Sequence, residues 1–479
     1  MLKKPVSNWL LGGISALAVF GTFSVNAMES SEERFRHIYK VLVETNTTAS
    51  VGDCTLAAQR MADELKKAGF EDKDLNVFFD PKYPKNGGLV ATLPGRDSKV
   101  KPMLLLAHID VVEAKREDWT RDPVTLIEEN GNFYARGASD DKAEAAIWVD
   151  TLIRLHEEHN RPRRTIKMAL TCGEEGSNVF NGAEWLATTH RDWIDAAFAL
   201  NEGASGELDA NGKPVSMTVQ AGEKTFQNYQ LEVTNPGGHS SRPRSDNAIY
   251  QLAGALKKIE AYSFPVMLSD GSKAYLNGMA SIEEKKGHVE LANAMRAVAK
   301  DPTDQKSVQL VSKADISWAA MLHTTCVATM LDSGHATNAL PQRARANVNC
   351  RIFPGVSTQS IRDTLAKVVD DPKVSVTAIA PLGVMGQAPP LTKAFLQPIE
   401  QLTQEFWPNV PVLPVLQSGG TDGRFLNNAG IPTYGVSGVF VGPDLGNIHG
   451  LNEYVGVASL LKGREFLYRL VKIYGDQRE

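Results

Sequence analysis

From residue 54 to 70 (CTLAAQRMADELKKAGF) apolar side chains recur at helical spacing, and Ala68-Gly69 supplies a stop signal, so the segment is predicted to be an amphipathic helix. Residues 103–107 are instead a continuous apolar run, the pattern of a strand buried on both faces of a sheet. Residues 140–159 return to helical spacing, with acidic side chains in the first turn where the helix dipole favours them. Residues 165–170 and 196–200 read as further short strands. Strands alternating with helices in this way predict the α/β class, with a mostly parallel sheet flanked by helices.

The texture changes near Lys224. Residues 226–233 and 345–352 alternate between apolar and polar, as antiparallel strands do, with a helix predicted over 247–262. Residues 263–314 are charged and weakly patterned. Helical spacing resumes over 390–407, and 431–439 supplies a late strand. This organisation predicts a catalytic domain in two parts, 28–222 and 384–479, with a smaller α+β domain inserted over 223–383.

The first residues read as a targeting segment. Lys3 and Lys4 precede an apolar stretch over 9–25, and Val25-Asn26-Ala27 places small residues where a signal peptidase reads. A membrane anchor is the competing reading, but Gly12, Gly13, Ser15, Gly21 and Thr22 interrupt a stretch short for a span of about 20 residues. Residues 1–27 are therefore expected to be a signal peptide, and the mature chain to be exported, periplasmic or secreted, with no membrane span after cleavage.

With 42% hydrophobic and 22% charged residues among 479, the chain falls in the globular range, which excludes wholesale disorder and fibrous classes. A net charge of −5 without basic blocks makes nucleic acid an unsuitable partner. The four cysteines (54, 172, 326 and 350) contain no C-x-x-C pair and are too few for a disulfide scaffold or a thiolate zinc site. Export would allow Cys326 and Cys350 to pair, and Cys172 reads as a small buried residue at a strand end.

Polar residues sit where the predicted buried strands end. Residues 103–107 run into His108-Ile109-Asp110, 165–170 into Gly173-Glu174-Glu175-Gly176, and 196–200 into Asn201-Glu202-Gly203. In open α/β sheets the carboxyl ends of the strands line the ligand crevice. Carboxylates gathered there repel one another unless a cation sits among them. Imidazole with carboxylate, and no thiolate, suits a hydrolytic zinc or manganese site.

Taken in order, His108-Ile109-Asp110, Arg136-Gly137-Ala138-Ser139-Asp140-Asp141-Lys142, Gly173-Glu174-Glu175-Gly176, Asn201-Glu202-Gly203, Gly237-Gly238-His239-Ser240-Ser241 and Asn447-Ile448-His449-Gly450 resemble the di-zinc metallopeptidase family that includes aminoacylase, carnosine dipeptidase, glutamate carboxypeptidase and carboxypeptidase S. Six motifs in order, from about Val41 to the C-terminus, carry the resemblance. It implies two divalent metals per subunit, zinc first, with cobalt or manganese as alternatives. His108 and Glu202 would bind one metal, His449 and Glu175 the other, and Asp140 would bridge both beside a cis peptide to Asp141. Glu174 would be the general base, and Asp110 would accept the second imidazole N–H of His108.

The resemblance also implies that the inserted domain is a lid that can mediate a homodimer. His239 would assist at the substrate carbonyl, Asn338 and Arg351 would contact substrate, and Gly420 and Thr421 would belong to a late glycine-rich loop completing the pocket. His335 fits no pattern and reads as structural, while His37, His156, His159, His190, His288 and His323 read as solvated. The implied activity is amide hydrolysis of dipeptides or short peptides, with N-acyl amino acids as the alternative substrate. A catalytically dead binding protein on the same fold is the reading from another class, and the complete ligand set with Glu174 and Asp110 argues against it. A serine hydrolase has no G-x-S-x-G elbow to support it.

Overall fold

The strand Met103–His108 is buried at every position because both faces of its sheet are covered. Met103, Leu105 and Ala107 enter one core with Trp148 and Leu152, while Leu104 and Leu106 enter a second with Ala183, Leu186 and Leu426. The computed structural model describes residues 18–158, 161–176 and 180–477, with side chains from residue 31 onward. The signal peptide expected over 1–27 thus lies outside the described residues, save for backbone in the helix Ala18–Val43, and His159 lies outside them as well.

Met103–His108 pairs in parallel with Ile166–Thr171 and Phe198–Asn201, so the three strand ends that carry the motifs emerge at one edge. The sheet has ten strands among the described residues. Tyr83–Leu93 and Leu75–Asp80 extend it antiparallel on one side, and Thr433–Gly435, Pro214–Glu223 and Val412–Gln417 extend it on the other. The central sheet is flanked by helices, including Lys142–Glu157, whose chain enters through a cis peptide between Asp140 and Asp141.

A second sheet is antiparallel, in the order Thr325–Ser333, Arg343–Ile352, Thr225–Thr234, Val374–Ala378. Arg343–Ile352 alternates strictly between buried and more exposed positions, and its inward side chains pack with Leu252 and Leu365 from two helices. Cys326 and Cys350 face each other on adjacent strands and form a disulfide.

Several expectations need correction. Cys172 is not a free buried thiol: it is joined to Cys54, at the start of the helix Cys54–Lys67. The weakly patterned stretch forms the helices Asp270–Lys285, Val289–Lys300 and Gln305–Ala314, followed by Ile316–Leu322. Their buried stripe is rich in alanine and methionine (Met279, Ala280, Ala292, Met295) set among lysines and glutamates, which weakens the periodic signal. They pack on Leu413 and Leu416 of the large sheet. The late strand shrinks to Thr433–Gly435, with Phe440–Val441 pairing separately. Three histidines are also less free than expected. His190 packs against Trp185 and Trp193, His156 against Phe70, and His323 hydrogen-bonds the Phe264 carbonyl at 2.7 Å. His335 is exposed.

Candidate metal centre

The five residues read as metal ligands converge on the carboxyl edge of the large sheet. His108 Nε2 lies 3.0 Å from Asp140 Oδ1 and 3.8 Å from Glu202 Oε1. The other oxygen of the same aspartate, Oδ2, lies 3.2 Å from His449 Nε2, which is 2.8 Å from Glu175 Oε1. Two ligand groups therefore share Asp140, one oxygen each. Tetrahedral coordination with bonds of about 2 Å separates ligand atoms by roughly 3.3 Å. The four separations above, 2.8 to 3.8 Å, bracket that spacing, and the ligand atoms of each group all lie within 4.8 Å of one another. His108 is buried, whereas half of the His449 side chain is exposed, so the site opens to solvent on the His449 side.

The electrostatics agree with a cation site. Burial pushes Glu174 and Glu202 well above the carboxylate range, reinforced by neighbouring acids. Burial also opposes ionisation of Asp140, but His108 and His449 hold it below its ordinary value. For His108 burial acts to lower the pKa, and Glu202, Asp110 and Asp140 outweigh it. Hydrogen bonds to Asp140 and Glu175 lift His449 to about 10. Protons here compensate a concentration of negative charge, a task divalent cations perform at neutral pH.

Asp110 lies beside His108 and also holds the loop of Glu174 and Glu175. The nearest acceptor to His108 Nδ1 is the main-chain carbonyl of Asp110, at 3.1 Å; the carboxylate, at 3.6 Å, is beyond hydrogen-bond reach. With Nδ1 donating to that carbonyl, Nε2 presents its lone pair to the site. The Asp110 carboxylate instead accepts the backbone N–H groups of Glu174 (3.3 Å) and Glu175 (3.0 Å), fixing the loop that carries both. That loop turns at Gly173, whose φ of +95° and close approach to the Phe180 carbonyl leave no room for a side chain.

Glu453 carries no motif signal, yet it organises the centre. Its Oε1 accepts from the backbone of Ser139 (2.9 Å) and Asp140 (3.1 Å), and Oε2 accepts from Arg136 Nη1 (2.6 Å) and Gly137 N (3.2 Å). Arg136 also donates to the carbonyl of Gly450, next to His449. One buried ion pair thus ties the loop of the shared aspartate to the loop of the distal histidine. Asp422, the last residue of the late glycine-rich loop, accepts from Thr171 Oγ1 and Asn181 Nδ2, a task the sequence did not assign it.

The expected substrate contacts divide. Arg351 lies over the Phe226 ring and reaches the Ser418 carbonyl at 3.4 Å; burial and the neighbouring Arg424 lower its pKa. Arg424, also missed, has Nη1 4.0 Å from Glu174 Oε1, and a side chain at Gly420 would crowd it. The backbone N–H and hydroxyl of Thr421 both donate inward to buried Glu223, at 2.8 Å. His239 and Asn338 are not brought to the centre. Both are exposed on a short ribbon of the smaller unit, where His239 Nδ1 hydrogen-bonds Ser241 and Ser240 N donates to the Asn338 carbonyl.

Paired imidazole–carboxylate groups sharing one aspartate, at the carboxyl edge of an α/β sheet, define a metal-dependent hydrolase with a dinuclear centre. Residues 104–473 match the family described as Peptidase family M20/M25/M40, and the chain belongs to it. The Bacillus subtilis YXEP protein, described as a dinuclear metal binding peptidase from the M20 family, shares the fold, with a TM-score of 0.58 at 11% identity over 93% of this chain and 99% of that one. The chain is similar to the N-fatty-acyl-amino acid synthase/hydrolase PM20D1 of Homo sapiens, at 28% identity over 389 residues covering 80% of this chain and 76% of that protein. It is also similar to the probable carboxypeptidase S-like 2 of Dictyostelium discoideum, at 29% identity over 399 residues covering 81% and 74%. The M20 family metallo-carboxypeptidase Sso-CP2 from Sulfolobus solfataricus shares the fold, with a TM-score of 0.68 at 18% identity over 92% of this chain and 99% of that one.

Proposed function

We propose that this hydrolase cleaves the amide bond of short peptides or N-acyl amino acids on the acyl side of a residue with a free carboxylate, with Glu174 as general base. The division of Asp140 between two ligand groups, with Glu174 beside them, carries the reading. Two divalent ions held by His108, Asp140 and Glu202 and by Asp140, Glu175 and His449, zinc first for this donor set, supply Lewis acidity toward the carbonyl and toward water. Glu174 takes a proton from the attacking water and delivers it to the leaving amine. Arg351 and Arg424 hold the carboxylate of the leaving amino acid, a task suited to guanidinium forks. His239 is assigned to the carbonyl after the part of the inserted domain built on the second sheet closes over the centre.

The reading includes export with removal of residues 1–27, supported by the leader pattern and by two disulfides. Among the described residues no helix is long and apolar enough to cross a membrane. It also includes a homodimer through the smaller unit, supported by exposed Val327, Met330 and Leu331 on its outer strand.

Dialysis against a chelator is expected to abolish turnover of a mixed panel of dipeptides and N-acyl amino acids, and added zinc, cobalt or manganese to restore it. Amidating the substrate carboxylate is expected to raise KM at least tenfold, the order of one lost charge-assisted contact of about 1.5–3 kcal/mol. Turnover that survives chelation, or amidated substrates cleaved as well as free acids, would overturn the proposal.

A further inference from the structure

Glu223 ends the strand Pro214–Glu223 of the large sheet, and within two residues the chain has entered Thr225–Thr234 of the second sheet. Its side chain is buried. Oε2 accepts from Thr421 N (2.8 Å), Thr421 Oγ1 (2.8 Å) and Gln220 Nε2 (3.1 Å), whereas Oε1 is sealed from solvent without a hydrogen-bond partner. A buried carboxylate with one oxygen unpaired costs folding free energy, and such groups concentrate where a task depends on them. The backbone beside Glu223 is itself anchored. Lys224 N donates to the Gln417 carbonyl (3.0 Å), and Lys224 Nζ donates to the carbonyls of Ala320 and His323 at the end of the helix Ile316–Leu322.

Thr421 passes this anchorage on. Its hydroxyl proton goes to Glu223, so its oxygen is left to accept from Asn201 Nδ2 (3.2 Å) and Gly423 N (3.0 Å). Arg424 N donates to the Thr421 carbonyl (3.3 Å), and the Arg424 guanidinium lies so close over Gly420 that a Cβ there would come within 2.8 Å of Nη1. The position of residues 420 and 421 therefore sets where the guanidinium stands. Burial pushes Glu223 up to about 7 against the pull of its Thr421 hydrogen bond and of Arg424, which places carboxylate and guanidinium within electrostatic reach of each other.

We infer that Glu223 is a positioning residue for substrate binding: through Thr421 it fixes the loop on which Arg424 meets the carboxylate of the leaving amino acid. The inference deepens the proposed function and rests on it, since Arg424 is assigned to that carboxylate there. None of the Glu223 hydrogen bonds goes to a metal ligand or to Glu174, so its loss acts on KM rather than on kcat.

The test compares the wild type, Glu223→Ala and Glu223→Gln on the best-cleaved member of the dipeptide and N-acyl amino acid panel and on its C-terminal carboxamide. Glu223→Ala removes the acceptor, and KM for the free acid is expected to rise at least about tenfold, the order of one lost charge-assisted contact, with kcat within about threefold. KM for the carboxamide, which offers Arg424 no carboxylate, is expected to stay within about threefold of the wild type. Glu223→Gln still presents a carbonyl oxygen to the same donors and is expected to recover most of the loss. Hydrogen exchange reads the same tie without turnover: the backbone N–H groups of residues 419–424 should exchange at least about tenfold faster in Glu223→Ala and near the wild-type rate in Glu223→Gln. Equal losses on acid and carboxamide, a free-acid KM within about twofold of the wild type in Glu223→Ala, or no recovery in Glu223→Gln would overturn the assignment. A wild-type enzyme that cleaves the carboxamide as well as the acid would instead overturn the carboxylate clamp of the proposed function, and unchanged exchange in Glu223→Ala would then overturn the tie to Thr421 by itself.

Discussion

Glu174→Gln is expected to lower kcat by about 10²–10⁴-fold, the range for a positioned general base, with little change in KM and with both metals retained. The substitution keeps the shape of the side chain and removes only its ability to take up a proton. Metal retention is expected because the two groups that share Asp140, His108 with Glu202 and Glu175 with His449, do not include Glu174, although Glu174 also lies within reach of His108 and Glu175. The loop also keeps its position, since Asp110 binds the backbone N–H groups of residues 174 and 175 rather than the side chain. Steady-state kinetics with metal analysis checks this. A variant retaining activity within tenfold of the wild type would remove Glu174 from the chemistry.

Glu453→Gln is expected to have the largest effect on the folded state. Each carboxylate oxygen of Glu453 accepts two donors, and an amide presents N–H to two of the four. Arg136 would remain buried without a compensating charge. Breaking a buried pair in this way typically costs about 3–5 kcal/mol, read as a lower midpoint of denaturant unfolding. Because Glu453 also holds the backbone of Asp140, metal affinity is expected to fall by about 10–100-fold, as for other groups that orient ligands. A variant with wild-type stability and metal affinity would show that the ion pair does not organise the centre.

These two glutamates mark what the chain discloses on reading. His108, Asp140, Glu174, Glu175 and Glu202 were legible as a cluster because each follows a recognisable buried strand or turn, and a parallel sheet brings successive strand ends to one edge, whereas His449 entered only through the family resemblance. Glu453 was not legible. It lies 313 residues from its partner Asp140 in the chain, and a lone glutamate after a turn carries no local pattern. Arg424 was missed for the same reason. Asp110 was found beside His108, with its carboxylate 3.6 Å from Nδ1, but its second task, accepting the backbone N–H groups of residues 174 and 175, has no local sequence signal. The helices between 270 and 314 escaped notice because an alanine- and methionine-rich stripe gives weak contrast, and their partner Leu413 lies far along the chain. His239 and Asn338 sit on the smaller unit, where spacing says nothing about how closely that unit approaches the centre.

Metal content of Asp140→Ala beside the wild-type protein, measured by elemental analysis after dialysis, tests the shared site most directly. One aspartate serving both groups requires about two equivalents in the wild type and fewer than one in the variant, whereas His449→Ala should lose one and keep the other. Two equivalents retained by Asp140→Ala would contradict a carboxylate shared between two ions.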